Sequence, residues 1–569
     1  MTPDFFNRSI LARQLWSFRR EFLWVGVFSL IANLLMLTPT VYMLQVYDRV
    51  MKSQNELTLL MVTIFMVLFF GIMAFAEWIR SRLLVRVGVR LDEGLNSLVF
   101  NSSFEAWLSH SGERGQKAFA DLTNIRQFLT ANGVIAFFDT PWTPVYIAVI
   151  FLLRPFLGWL SVLFAIIQLA MTWMTHKLNA REIELAADAS NDSFRYVQGK
   201  LRNIEPIHAM GMIGNIREHW FSLHDASLEK SDVSMERQHR LQAFTKFVRY
   251  SMQSLTLGAG ALMVIEGKMS AGSMIASNVL MSKALQPLDL VVATWKPFIN
   301  ARAAFLRLEK LLEDFPARNE GQNHPAPTGA VRLEELTATV PGRKMPILQS
   351  ITADIPAGQV VVVLGPSGAG KSTLARCIVG VWPERQGRVL FDGEPIESWC
   401  REELGPHIGY LPQDIELFDG TIAENIARFT ELDSVKVIDA AKKTGIHEMI
   451  LRFPSGYDTQ IGEAGGLLSG GQRQRLGLAR AIYGNPAVVV LDEPNANLDD
   501  AGDRSLMQAV SELKQSGKTV ILITHRPGIV AAADLLMLMQ EGRLLIFGPR
   551  DQVIAKLQPP AQRPAVVTT

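Results

Sequence analysis

The sequence predicts two joined parts, an α-helical membrane half of six spans followed by an α/β half built on a parallel sheet. Three observations carry that prediction. Apolar runs close to the roughly 20 residues that a helix needs to cross hydrocarbon are confined to the first 300 positions. The stretch from Gly329 to about Leu557 instead reads as short strands and helices separated by glycine-rich turns. A mean hydropathy of +0.16 coexists with 20% charged residues, as expected where an apolar part is joined to a soluble one. At 569 residues the chain is also too long for one ordinary core. Its formal net charge of +1 gives no general case for nucleic-acid binding, and no nucleic-acid partner is expected.

Residues 1–21 carry Arg8, Arg13, Arg19 and Arg20 ahead of the first apolar run, 22–44. That run is long for a signal-peptide core and lacks a convincing small-residue cleavage site, so it reads as a retained first span. Runs 57–78, 133–153 and 156–175 meet the same length and hydropathy test. Two weaker runs, 250–265 and 269–295, contain serines, Lys283, Pro287 and Asp289. Parity counts them as spans five and six, because a cytoplasmic start and a cytoplasmic second half require an even number of crossings. Arg80, Arg82, Arg86 and Arg90 after span two place that end in the cytoplasm. The outer loops are then short, centred on "DRVMKSQNE", "RP" and "EGK". The inner connections, 81–132 and 176–243, are polar and helix-patterned, so the membrane domain of 22–315 has long cytoplasmic extensions.

One hairpin, "FFDTPWTPVYIAVIFLLRPFLGWLSVLF" (137–164), has breaks within an apolar sequence. Arg154-Pro155 reads as its tight outer turn. Asp139 or Thr140 can cap a restarting helix with Pro141 in its first turn, and Pro144 removes a donor, so span three is expected to enter kinked. Asp139 is either such a cap or a group facing a water-filled path; Lys283 either snorkels or faces that path. Residues 316–329, "PARNEGQNHPAPTG", form the expected linker, 330–557 the second domain, and 558–569 an expected disordered tail. Two cysteines are too few for a disulfide framework, and Cys377 reads as a small core residue.

In "VVVVLGPSGAGKSTLARCIVG" a valine-rich buried strand feeds a glycine-rich turn and then a helix, which is the setting a P-loop requires. The loop comprises Gly365, Pro366, Ser367, Gly368, Ala369, Gly370, Lys371, Ser372 and Thr373. Its glycines let backbone N–H groups curl around phosphate oxygens, and the following helix offers its N-terminal dipole. Lys371 supplies a point charge for the β- and γ-phosphates, and Ser372 can ligate Mg²⁺. In "AVVVLDEP" a second apolar strand ends in Asp492 and Glu493 at the carboxyl edge of the sheet, where such folds bind ligands. Asp492 would hold Mg²⁺ through water, and Glu493, one residue further out, would polarise the attacking water as a general base. A glycine-rich structural turn and a helix N-cap are the plain alternatives for the two motifs; their joint occurrence weighs against both.

Between these motifs stands "LLSGGQRQRLGLARAI", and here the chain resembles the ABC transporter family, whose signature is matched by Leu468, Ser469, Gly470, Gly471 and Gln472. The resemblance implies an ABC exporter-type membrane domain fused to a P-loop ABC nucleotide-binding domain. It also implies that the signature caps the γ-phosphate of ATP held by the opposite subunit. Gln413 in "YLPQD" is similar to the Q-loop glutamine that senses Mg²⁺, Asp499 in "NANLD" to the D-loop aspartate, and His525 in "ILITH" to the switch histidine on the γ-phosphate. One P-loop and one signature per chain imply a homodimer with two sandwiched ATP molecules, both sites carrying Glu493. The family's adenine-stacking aromatic is missing: the matching stretch "TATVPGRKMPIL" offers Val340.

"LQVYDRVMKSQNELTLL", "FFDTPWTPVYIAVIFLLRPFLGWL" and "PLDLVVATWKPFINARAAFLRL" are similar to type I secretion ATPases, especially exporters of alkaline metalloproteases, lipases or haem-scavenging proteins. That resemblance implies an ATP-hydrolysing half-transporter in the bacterial inner membrane, among its lipids, with the nucleotide domain in the cytoplasm. It would export an unfolded polypeptide with a C-terminal signal, working with a periplasmic membrane-fusion adaptor and an outer-membrane channel of the TolC type. Only about twenty residues precede the first span, so no peptidase-like domain is expected there. The alternatives are an exporter of lipids, drugs or small peptides, a soluble ABC ATPase acting on ribosomes or DNA, and an ATP-gated channel.

Overall fold

A computed structural model of the chain describes residues 9–109, 112–201, 203–316, 324–340, 345–462, 468–524 and 526–557. Half of the expected linker, the expected tail and His525 lie outside the described residues. Two compact units emerge, Met1–Ser102 with Gln116–Asp314, and Ser103–Gly115 with Phe315–Thr569.

The first unit is all helical. A short helix α1 (Ile10–Ser17), capped by the Ser9 hydroxyl accepting from Ala12 N–H at 3.0 Å, precedes the first long segment. That segment is α2 (Arg19–Leu35), α3 (Thr38–Gln45) and a π-helical turn, Val46–Val50. Helix α4 (Glu56–Leu108) runs for 53 residues, about 80 Å at 1.5 Å per residue, and outlasts any hydrocarbon layer. Leu60, Ile64, Phe65 and Leu68 on it are exposed, as expected of a surface facing lipid. After α5 (Gly112–Thr130), the third segment is interrupted: α6 (Asn132–Asp139), a 3₁₀ turn Thr140–Trp142, then α7 (Thr143–Leu153). Pro144 falls in the first turn of α7, directly after the 3₁₀ turn. A single extended residue, Arg154, then separates α7 from α8 (Pro155–Leu201). Helices α9 (Ile213–Ile265) and α10 (Ala271–Asp314) complete the unit, with Pro287 and Pro297 inside α10. Arg19–Ser53, Glu56–Leu108 and Lys117–Leu153 are long and apolar enough to cross a membrane, and Pro155–Met171 is a shorter apolar stretch.

Charged side chains bolt these helices together. Asp139 does not cap a restarting helix. The 3₁₀ turn carries the chain on in helical conformation, and the Thr140 hydroxyl turns back to Ala136 C=O at 2.6 Å, so no open N-terminus needs a cap. Asp139 instead accepts from Arg80 at 2.9 Å and Asn33 at 2.6 Å, and Arg80 also donates to Ser29 at 2.9 Å. Asn33 is held in turn by the Tyr146 hydroxyl, 2.9 Å from its carbonyl and 3.0 Å from its side-chain oxygen. A carboxylate in so apolar a hairpin persists only beside a cation and further donors. Asp289 bridges three helices, accepting from Gln168 on α8 at 2.5 Å and Arg249 on α9 at 2.9 Å. Asp48, within the π turn, accepts from the Ser270 hydroxyl at 2.5 Å and Gly272 N–H at 3.2 Å, capping α10. Arg307 grips Asp121 with two bonds of 2.6 and 2.9 Å. Lys283 is half-buried in α10.

The second unit contains two sheets. Strands β1 (Val331–Ala338), β2 (Leu348–Ile355), β4 (Arg385–Phe391) and β5 (Glu394–Pro395) form an antiparallel sheet of order β2-β1-β4-β5. Strands β3 (Val360–Leu364), β6 (Ile408–Leu411), β7 (Val488–Asp492), β8 (Thr519–Ile523), β9 (Leu535–Gln540) and β10 (Arg543–Pro549) form a second sheet of order β10-β9-β3-β8-β7-β6. All its pairings are parallel except β10 with β9. Val360, Val489 and Leu522 pack into one core and Val361, Val490 and Ile523 into another, so this sheet is covered on both faces. Double burial explains why β3 and β7 read as unbroken apolar runs rather than alternating ones. In parallel register, β3, β7 and β8 end together, and their carboxyl ends carry Gly365, Asp492 with Glu493, and Thr524 to one edge.

Candidate functional site

The turn after β3 is built around left-handed or otherwise strained glycines. Gly365 has φ +154°, and a Cβ there would sit 2.3 Å from the Met539 carbonyl oxygen; Gly370 has φ +92° and would press Leu348 at 2.8 Å. Only glycine fits both constraints, so the strand can swing sharply into helix α11 (Lys371–Ile378), which Gly370 precedes. Lys371 is buried, and its ammonium donates to Gly365 C=O at 2.8 Å and Pro366 C=O at 2.9 Å. The loop thus wraps its own lysine and leaves backbone N–H groups and the start of α11 facing an open cavity of about 530 Å³.

That cavity brings together Ser367, Gly368, Gly370, Lys371, Ser372, Thr373, Gln413 and Glu493. Gly365, Pro366 and Ala369 shape the loop from behind; the Ala369 carbonyl accepts from Gly542 N–H at 3.2 Å. Asp492 closes β7 beneath the site at 1% exposure, near the Ser372 hydroxyl, while its Oδ1 has no hydrogen-bond partner among the described residues. Burial pushes its carboxyl above the usual range, the Ser372 hydroxyl pulls it down and the neighbouring Glu493 charge raises it. A buried, unpaired carboxylate oxygen beside a serine hydroxyl is a donor set that suits a divalent cation. Glu493 sits at φ +48°, a conformation costly for a side-chain-bearing residue, with its N–H on Ile523 C=O at 2.9 Å and its Oε2 accepting from Gln413 at 3.2 Å. The two residues are 80 positions apart, and the sheet edge joins them.

Ser469 caps helix α12 (Gly470–Ile482): its hydroxyl accepts from Gln472 N–H at 3.3 Å, and the Gln472 side chain accepts from Ser469 N–H at 2.8 Å. A Cβ on Gly471 would lie 2.8 Å from the Asn497 carbonyl oxygen, so the glycine lets the chain before Asp499 approach closely. Asp499 caps helix α13 (Asp500–Gln515) through Gly502 N–H at 2.8 Å, and Leu468 is buried in the core. None of these five signature residues, nor Asp499, lines the cavity of its own chain. The cavity also takes in Met345, Pro346, Ile347, Glu541 and Gly542, which the motifs did not mark. The glycine of the β9–β10 turn was the available signal for the last two.

Outside the cavity, Arg428 fixes part of its frame. Arg428 donates to the carbonyls of Arg480 at 2.9 Å, Ala481 at 2.8 Å, Gly405 at 2.9 Å and Ile408 at 3.0 Å, tying the end of α12 to the strand that leads to Gln413. Burial lowers its guanidinium to about 10. Cys377 is fully buried in α11, and burial pushes its thiol up to about 12.

Comparison with known proteins agrees with both halves. Residues 348–496 match the model of the ABC transporter domain, and residues 22–288 match that of the ABC transporter transmembrane region. The chain is 38% identical, over 96% of its length and 94% of the relative's, to the type I secretion system ATP-binding protein PrsD of Rhizobium meliloti. It is 27% identical, over 93% of its length and 75% of the relative's, to the cyclolysin secretion/processing ATP-binding protein CyaB of Bordetella pertussis. A solved structure of a bacterial Atm1-family ABC exporter with ATP bound superposes with a TM-score of 0.77 at 22% identity, covering 95% of this chain and 97% of the other. The chain belongs to the ABC transporter family, joining its transmembrane region and its ATP-binding domain in one polypeptide and standing among the type I secretion system ATP-binding proteins.

Proposed function

We propose that this chain is the ATP-hydrolysing motor of a type I secretion system, exporting an unfolded polypeptide that carries a C-terminal signal. The observation that carries this reading is the 38% identity to PrsD, which runs through both halves and covers 94% of that protein. The working unit is a homodimer in the bacterial inner membrane, with the nucleotide domains in the cytoplasm. Its partners are a periplasmic membrane-fusion adaptor and an outer-membrane channel. In support of the dimer, Ser469, Gly470, Gly471 and Asp499 do not line the cavity of their own chain.

The site residues divide the work by position. Backbone N–H groups of the loop from Gly365 to Thr373 and the Lys371 ammonium take the β- and γ-phosphates, the ammonium exchanging its bonds to the Gly365 and Pro366 carbonyls for phosphate oxygens. Ser372, Asp492 and Gln413 would hold Mg²⁺, which when bound neutralises the charge on the β- and γ-oxygens. Glu493 takes a proton from the water that attacks the γ-phosphorus as the bond to the β–γ bridging oxygen breaks and ADP leaves, and Gln413, 3.2 Å from Glu493, fixes its carboxylate. His525 is assigned to the γ-phosphate by its place after β8.

Glu493→Gln keeps the shape and removes the base. ATP hydrolysis should fall by about 10²- to 10⁴-fold while ATP still binds. With adaptor, outer channel and candidate cargo co-expressed, no cargo should reach the medium. Cargo appearing at the wild-type rate would overturn the motor reading.

A further inference from the structure

The cavity has one apolar wall. Its phosphate end is lined by backbone, Lys371, Ser372 and Thr373, and apart from glycines the remaining described lining residues are polar or charged except for the consecutive Met345, Pro346 and Ile347. Val340, where the sequence resemblance places an aromatic platform, instead packs half-buried against the core of the antiparallel sheet, as does Ile347. Met345 is 82% exposed although it is a large apolar side chain beside a polar cavity. A methionine at the rim of a phosphate site is well suited to a planar aromatic ligand, because its thioether is polarizable and its three torsions adapt to a ring face.

We infer that Met345, backed by Pro346 and Ile347, is the nucleobase platform of this site. A nucleoside triphosphate is apolar at one end and anionic at the other, and this cavity presents surfaces matching each. The inference rests on the nucleotide-site reading given above. A thioether face carries no directional donor or acceptor, so it receives adenine and guanine alike. Discrimination of the kind given by a site built to hydrogen-bond one base edge is not expected here.

The test is equilibrium binding of ATP, GTP and inorganic tripolyphosphate to the full-length wild type, Met345→Ala and Met345→Tyr. Wild type should bind ATP and GTP within about threefold of each other. Met345→Ala should weaken both by roughly two- to twelvefold, the range of a lost sulfur–aromatic contact, and leave tripolyphosphate unchanged. Met345→Tyr should restore or tighten both, since it supplies a ring of its own. Unchanged ATP binding in Met345→Ala, or an equal loss for tripolyphosphate, would overturn the platform. A wild type that prefers ATP over GTP by roughly 10²-fold or more would overturn the base tolerance. If wild type and Lys371→Ala bind ATP equally weakly, it is the nucleotide-site reading that fails instead.

Discussion

At the scale of single residues, chemistry was easier to read than partnership. Gly365, Lys371, Asp492 and Glu493 announced themselves because phosphate and metal binding demand those residue types in that order beside a strand end. The bond from Gln413 to Glu493, the left-handed backbone of Glu493 and the four carbonyls collected by Arg428 depend on residues 20 to 80 positions apart, which no local pattern encodes. Asp139 shows the same limit. Its place near two prolines suggests a cap, while its partner, Arg80, lies 59 residues away on helix α4. The pair is buried, with side chains 8% and 16% exposed. Removing one charge strands the other, so Asp139→Ala should destabilise the membrane unit by about 3–5 kcal/mol. Replacing both, as in Arg80→Met with Asp139→Leu, should cost much less. Thermal unfolding in detergent would compare them, and equal losses would show that the charge pair is not what holds these helices.

Among the elements, helix α12 combines two duties that can be separated. Ser469 and Gln472 form a reciprocal capping box within the chain, while Ser469 is also proposed to meet the phosphate of a second subunit. Ser469→Ala should lower stability by about 0.5–2 kcal/mol through the cap alone. Ser469→Asp keeps a capping oxygen and adds a charge repelled by phosphate. It should therefore melt close to wild type yet hydrolyse ATP far more slowly. Should both variants lose activity only in proportion to stability, Ser469 would be a cap and nothing more. Strands β3 and β7 were legible because burial on both faces leaves continuous valines. The break at Thr140–Trp142 was legible from its prolines, but the π turn at Val46–Val50 was not: "DRVMKSQNE" reads as an outer loop, whereas the chain stays helical through Ser53, with Asp48 held by Ser270 and Gly272.

For the whole molecule, the division into an apolar helical half and a doubly covered sheet follows directly from composition, and the similarity to PrsD extends over both. The order of strands in the sheet was not readable, because β3 pairs with β8 and β9, more than 150 residues downstream. The cavity of one chain holds the P-loop without a signature, so activity should depend on pairs. When wild-type and Glu493→Gln subunits are co-expressed in equal amounts, about a quarter of the dimers contain only wild type. If both sites must fire, ATPase activity should approach that quarter; a value near one half would mean that subunits work independently. The π turn gives the molecule a last property, one of phase. A π segment is what a single inserted residue leaves in an α-helix. Deleting one of residues 46, 47, 49 or 50 would close the turn to regular α-helix, keeping the flanking segments close to in phase while re-aiming the side chains inside the turn. Asp48 could then no longer face Ser270 and Gly272, so the grip on the last span is set by a count of residues as much as by their identity.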